Sequence, residues 1–119
     1  MTDNNNNTEL RTAYVAAPKT SSLGFIKAAA GVPKLAVGNP AFNAAETISL
    51  MARAAAEGVR VLVFPELGLT GYTCADLFQQ RSLLNATMEA LKSVTDASAS
   101  FGGIVFVGAP IVIDGKLFN

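Results

Sequence analysis

The sequence predicts an α/β domain in the order strand, helix, strand, helix, strand, followed by a β-hairpin. Three observations lead there. A short apolar run rich in β-branched and aromatic residues, Val61-Leu62-Val63-Phe64, reads as a strand buried on both faces. Stretches with apolar residues at three- and four-residue spacing lie on either side of it, as amphipathic helices do. Near the end, Asp114-Gly115 separates Ile111-Val112-Ile113 from Lys116-Leu117-Phe118, the strongest short-range signal for a hairpin.

Each element has its own justification. Residues 1–22 open polar and Asn-rich, and such a composition buries too little apolar surface to offset the entropy of ordering. They read as a disordered or loosely structured tail, with one short apolar patch from Ala13 to Ala17, and residues 23–119 read as the domain. Phe25 to Val32, apolar apart from Lys27 and Gly31 and closed by Pro33, is the expected first strand. Asn39-Pro40 starts a helix, because Asn is a preferred N-cap and Pro is pre-organised for the first helical position. Ala45, Ile48, Ala52 and Ala55 share one face of it and Glu46, Arg53 and Glu57 another, and the helix stops at Gly58.

Strand, helix, strand in that order implies a parallel pair joined by a right-handed crossover. The second strand, Val61 to Phe64, is ended by Pro65, which has no backbone N–H to donate. A second helix is expected over about residues 81–100. Its predicted inner face is Leu84, Met88, Leu91, Thr95 and Ser98, widened by Leu83 and Val94. Gly102-Gly103 releases the chain into the third strand, Ile104 to Val107, and Gly108 and Pro110 bend it towards the hairpin.

Composition excludes several classes of function. Nine basic and nine acidic residues leave no net charge, so no electrostatic attraction to nucleic acid is expected. The apolar runs are broken by charge or Gly far short of the ~20 residues of a membrane-spanning helix. Histidine is absent, which rules out Ser-His-Asp and Cys-His sites made by this chain alone and any His-ligated metal, and no metal site is expected. The single cysteine, Cys74, cannot form an internal disulfide, in agreement with a reducing, cytoplasmic setting.

Glu66 is the candidate catalytic residue. It follows Pro65 just beyond a strand's carboxyl end, where open α/β sheets place their sites. A carboxylate between Pro65 and Leu67, with Leu69 close by, is expected to be partly desolvated unless paired, and desolvation makes a carboxylate a better proton acceptor. The alternative reading is a Glu that caps the following turn or pairs with a surface Lys or Arg. Tyr72 is the second candidate, with a hydroxyl able to orient a polar substrate and a ring that packs on the strand end; equally, it anchors the loop on the core.

These residues resemble a known family. Phe64-Pro65-Glu66-Leu67, followed by Gly71-Tyr72 and Asp76-Leu77-Phe78, is similar to the glutamate motif of the nitrilase (carbon–nitrogen hydrolase) superfamily. The variant Gly68-Leu69-Thr70-Gly71-Tyr72-Thr73-Cys74-Ala75-Asp76-Leu77-Phe78 most resembles the N-terminal glutaminase domains of glutamine-dependent NAD(+) synthetases. Ala41-Phe42-Asn43-Ala44 upstream, Val107-Gly108-Ala109-Pro110 downstream and the closing Gly115-Lys116-Leu117-Phe118-Asn119 fit the same pattern in the same order.

The resemblance implies the N-terminal part of a nitrilase-like α-β-β-α sandwich whose substrate is glutamine. The family hydrolyses a carboxamide with a Cys nucleophile, a Glu base and a Lys for the oxyanion. Glu66 matches the base and Tyr72 lines the glutamine pocket. The Lys and the Cys belong to motifs beyond residue 119. Cys74 sits where the family has a loop segment and, as a lone thiol, is expected to be buried. Lys27, Lys34, Lys92 and Lys116 are poor candidates for the missing cation. The resemblance also implies a C-terminal synthetase domain, where ATP, Mg and deamido-NAD(+) would bind, and a homo-oligomer for the complete protein; no cofactor is expected on this segment. A free-standing amidase and a non-catalytic, flavodoxin-like binding domain stay open as alternatives.

Overall fold

A computed structural model of the chain describes residues 24–119. The tail expected over residues 1–22 lies outside the described residues. In order, the elements are β1 (Ala28–Ala30), α1 (Pro40–Ala56), β2 (Val61–Val63), a 3₁₀ segment (Tyr72–Gln79), α2 (Arg81–Ser98), β3 (Ile104–Phe106), β4 (Ile111–Ile113) and β5 (Lys116–Phe118). The expected α/β order is present. The first strand is much shorter than the apolar run that predicted it, because pairing with β2 begins only at Ala28 and leaves Phe25 and Ile26 exposed.

β1, β2 and β3 form a parallel sheet in the order β1-β2-β3. Their register aligns Ala29, Leu62 and Val105 in one row. Both crossovers step in the same direction across the sheet, so with right-handed connections α1 and α2 fall on the same face and pack against each other. Leu62, Phe64, Met51, Val59 and Phe101 form the core beneath them, and Ala44, Leu69, Ala90, Val94 and Ala109 a second cluster between the helices and the sheet's carboxyl end.

The expectation that β2 is buried on both faces is corrected. Leu62 and Phe64 are buried under the helices, whereas Val63 on the other face is 45% exposed, beside Ile104 at 58% and Phe106 at 55%. One pair of helices on one side cannot cover both faces, and nothing among the described residues covers the second.

α1 starts as predicted: the Asn39 side chain accepts from the Phe42 N–H at 3.1 Å and Pro40 takes the first turn. It ends with Gly58 N–H on Ala55 O and Val59 N–H on Ala54 O, which satisfy carbonyls of the last turn. The inner faces of both helices differ from the prediction by a rotation of about one residue. In α1 the buried positions are Pro40, Asn43, Ala44, Thr47 and Met51, while Ala45 and Ala52 are exposed. In α2 they are Leu83, Thr87, Ala90 and Val94, while Met88 and Thr95 face solvent. The spacing was right and its phase was not. Asn43, Thr47 and Thr87 look like surface residues by composition, yet Thr87 Oγ1 donates to Leu83 O at 2.8 Å and Asn43 is hydrogen-bonded on both sides of its amide.

β4 and β5 pair antiparallel, with Ile111 opposite Phe118 and Ile113 opposite Lys116. Asp114 and Gly115 take φ of 50° and 74°, the two positive values of a type I′ turn. Gly115 suits that geometry because it has no Cβ to clash in the left-handed region.

Candidate active site

The chain leaves β2 through Phe64, whose N–H makes a last ladder bond to Phe106 O at 2.9 Å. Pro65 then ends the strand and Glu66 follows, as expected, beyond the carboxyl end of the central strand of three. Leu67 adopts φ 52°, a left-handed conformation that L-residues seldom take. It turns the chain sharply: Gly68 N–H returns to Pro65 O at 3.2 Å, while Thr70 and Gly71 N–H bond to Leu67 O at 3.0 and 2.7 Å.

This turn decides which side chains go in and which stay out. Leu69 and Thr70 are fully buried, and Leu69 sits between Ala44 of α1 and Ala90 and Val94 of α2. Glu66 is left exposed. The expected partial desolvation of Glu66 is therefore not found among the described residues: of the apolar neighbours that suggested it, Leu69 is turned into the core, Leu67 is half-buried and Pro65 is itself exposed. It neither caps the turn nor pairs with a cation there. Its one hydrogen-bond partner among the described residues is Asn119, whose Nδ2 donates to Glu66 Oε1 at 2.7 Å.

Three contacts hold the loop from three directions. Asn43, with no exposed surface, donates through Nδ2 to Leu69 O at 3.1 Å and Ala36 O at 2.9 Å, and accepts from Ala36 N–H at 2.8 Å. One side chain thus ties α1 to both the β1–α1 loop and the Glu66 loop. Gly38 N–H adds a bond to Thr70 O at 2.8 Å. From the β3 side, Gly108 O accepts from Leu69 N–H at 3.2 Å, and the Gly108 backbone lies directly against the turn. A Cβ on Gly108 would stand 2.5 Å from Leu67 N and 2.7 Å from Pro65 O, so only glycine fits without displacing the turn.

Tyr72 opens the 3₁₀ segment with its side chain 69% exposed. The expectation that its ring packs on the strand end or anchors the loop is corrected: Leu69 and Thr70 do the anchoring, and Gly71, at φ 90°, carries the chain out of the core before Tyr72. Cys74 is buried at 3% exposure, and its Sγ donates to Thr70 O at 3.1 Å, as a thiol that packs rather than reacts. Lys116 is exposed in the hairpin. Among the described residues no group of three or more His, Cys, Asp or Glu could hold a metal ion, and no helix is long and apolar enough to cross a membrane.

Asn43 and Asn119 lay inside the sequence motifs without a role assigned to them, and Gly108 was expected only to bend the chain after the third strand. The signals existed. Asn in an apolar helix face, Gly immediately after a strand, and a two-residue hairpin that returns the chain to its starting point each carry positional information.

A parallel α/β sheet that presents a carboxylate past its central strand, on a loop clamped by a buried amide and a glycine, has the arrangement in which open α/β sheets place their sites. The family profile described as carbon–nitrogen hydrolase matches residues 28–119, and the chain belongs to that family. It is 35% identical over 98 residues to the glutamine-dependent NAD(+) synthetase of Mycobacterium leprae (strain TN), covering 82% of this chain and 14% of that protein. Against the glutamine-dependent NAD(+) synthetase of Oryza sativa subsp. indica the identity is 35% over 69 residues, 58% of this chain and 9% of that one. The crystal structure of a glutamine-dependent NAD(+) synthetase from Cytophaga hutchinsonii matches with a TM-score of 0.68 at 25% identity, covering 79% of this chain and 16% of that chain. The matches thus span between 9% and 16% of the length of these relatives.

Proposed function

We propose that this segment supplies the general base, Glu66, of a glutamine-hydrolysing site that feeds ammonia to NAD(+) synthesis. The observation that carries the reading is the position of Glu66: exposed beyond the central strand on a backbone fixed from three sides, within a stretch similar to NAD(+) synthetases over most of its length. A base needs that combination of access and fixed placement.

The chemistry assigned to Glu66 is two rounds of proton transfer. It takes the proton of a cysteine thiol as the thiolate attacks the carboxamide carbon of glutamine, and returns it to the leaving nitrogen as the C–N bond breaks and ammonia departs. It then accepts a proton from the water that attacks the thioester and returns it to the departing sulfur as the C–S bond breaks, releasing glutamate and restoring the free thiol. The cysteine, and the lysine that stabilises the oxyanion, come in this reading from sequence beyond residue 119. Cys74 is not that cysteine, being buried and bonded to Thr70 O. Tyr72, exposed at the mouth of the same loop, contacts the glutamine.

ATP, Mg and deamido-NAD(+) are assigned to a C-terminal synthetase domain outside this segment, where the ligase step takes place. The complete protein is read as a cytoplasmic homo-oligomer, and the unpaired Cys74 supports the reducing compartment. The test is ammonia release from glutamine by the whole polypeptide that carries this segment. Glu66→Gln should lower the rate by ~10²–10⁴-fold, the usual contribution of a general base, with thermal stability retained because the side chain is exposed. A rate within a few-fold of wild type would refute the assignment.

A further inference from the structure

We propose that Asn119 is a positioning residue for Glu66. Asn119 Nδ2 donates to Glu66 Oε1 at 2.7 Å across 53 positions of sequence. That distance belongs to a short hydrogen bond, as a charged acceptor produces.

The encounter follows from the topology. Gly108 lies against the Pro65–Leu67 backbone, so the chain leaving β3 starts beside Glu66. β4 carries it away, the two-residue turn at Asp114-Gly115 reverses it, and β5 brings it back in a register that sets Phe118 opposite Ile111. Asn119, the next residue, is thereby returned close to where the hairpin began. A two-residue type I′ turn fixes this register, and a slip of one position would put residue 119 on the other face.

The chemistry of an amide suits the task. A Lys or Arg at this place would stabilise the ionised carboxylate strongly and weaken it as a base. A neutral N–H donor holds one oxygen while imposing less on the other. Among the described residues no hydrogen bond reaches Oε2, so Asn119 sets the plane of the carboxylate and leaves Oε2 to exchange the proton.

The inference rests on Glu66 being the base, and the experiment separates the two. In the whole polypeptide, glutamine hydrolysis is measured for wild type, Glu66→Gln, Asn119→Asp, Asn119→Ala and Asn119→Gln, with a thermal melt of each. Asn119→Asp, isosteric but with a repelling carboxylate in place of the donor, should lower kcat by ~10–100-fold with KM changed by less than ~3-fold, as expected for a misplaced catalytic group rather than lost substrate binding. Asn119→Ala should fall between it and wild type, and Asn119→Gln, which restores an amide donor, should regain part of the loss. If Glu66→Gln is inactive while Asn119→Asp and Asn119→Ala keep kcat within twofold of wild type, the role of Asn119 is overturned and that of Glu66 stands. Full activity in Glu66→Gln overturns both. Should Asn119→Asp also melt early, Asn119→Gln decides: recovery relative to Asn119→Ala at equal melting temperature supports the proposal, and no recovery overturns it.

Discussion

The side-chain amide of Asn43, on α1, donates at 3.1 Å to the backbone carbonyl of Leu69, three residues past Glu66. Because the same amide also closes two bonds with Ala36, a helix residue distant from the carboxylate holds both loops at the sheet's carboxyl end. Replacing it removes partners from buried backbone groups and leaves them unsatisfied.

Asn43→Ala should therefore destabilise the fold by about 2–4 kcal/mol, one buried and two partly buried backbone groups losing their partners at once. Asn43→Asp, the same shape, keeps the acceptor for Ala36 N–H but sets a buried carboxylate against two carbonyls, and should cost at least as much. Urea denaturation of the whole polypeptide measures both. A loss below ~1 kcal/mol in either would mean that water replaces the amide without cost.

Gly108→Ala tests the contact between the β3 exit and the turn. The added methyl would meet backbone atoms on both sides of Glu66, which unlike a side-chain end cannot swing away. The expected outcome is ~1–3 kcal/mol of lost stability, typical of overpacking, together with a drop in kcat for glutamine hydrolysis. Wild-type stability with wild-type kcat would show that the turn yields freely.

Cys74 should behave as a packed side chain. Under native conditions its alkylation by iodoacetamide should be slow and should accelerate on unfolding, because the thiol is buried and hydrogen-bonded. Cys74→Ala should leave glutamine hydrolysis by the whole polypeptide essentially unchanged. Abolished hydrolysis in a well-folded Cys74→Ala variant would instead make Cys74 the nucleophile.

The open face of the sheet predicts how the 119-residue segment behaves by itself. Val63, Ile104 and Phe106 expose large apolar side chains next to one another, and such surfaces associate. Sedimentation velocity on the isolated segment should show self-association, and the double substitution Ile104→Thr with Phe106→Thr should reduce it. A monodisperse monomer with a sharp thermal transition would contradict the expectation.

The local elements were legible because their causes are local. Asn39-Pro40 starts a helix wherever it stands before such a run, Pro65 ends a strand by lacking a donor, and Asp114-Gly115 makes a type I′ turn because both residues tolerate positive φ. The strand–helix order then leaves the parallel sheet as the natural solution, and Pro65-Glu66 at the end of its central strand marks the position of the candidate site.

Other features depended on what each residue met in three dimensions. Helical spacing defines how wide an inner face is and not which way it points, so the rotation that buries Asn43 was decided by partners elsewhere, the loops at Ala36 and Leu69, while Thr87 satisfies its hydroxyl on the Leu83 carbonyl of its own helix. The exposure of Glu66 and Tyr72 was decided by the left-handed turn at Leu67, which sends Leu69 inward. By itself the sequence determined the strands and the two α-helices, their order and the residue that carries the candidate chemistry, though not the 3₁₀ segment at Tyr72–Gln79. Only the tertiary structure decided that Asn43, Gly108 and Asn119 converge on the loop that carries that residue, because hydrogen bonds and close contacts between residues 26 to 53 positions apart arise from packing and leave no periodic mark along the chain.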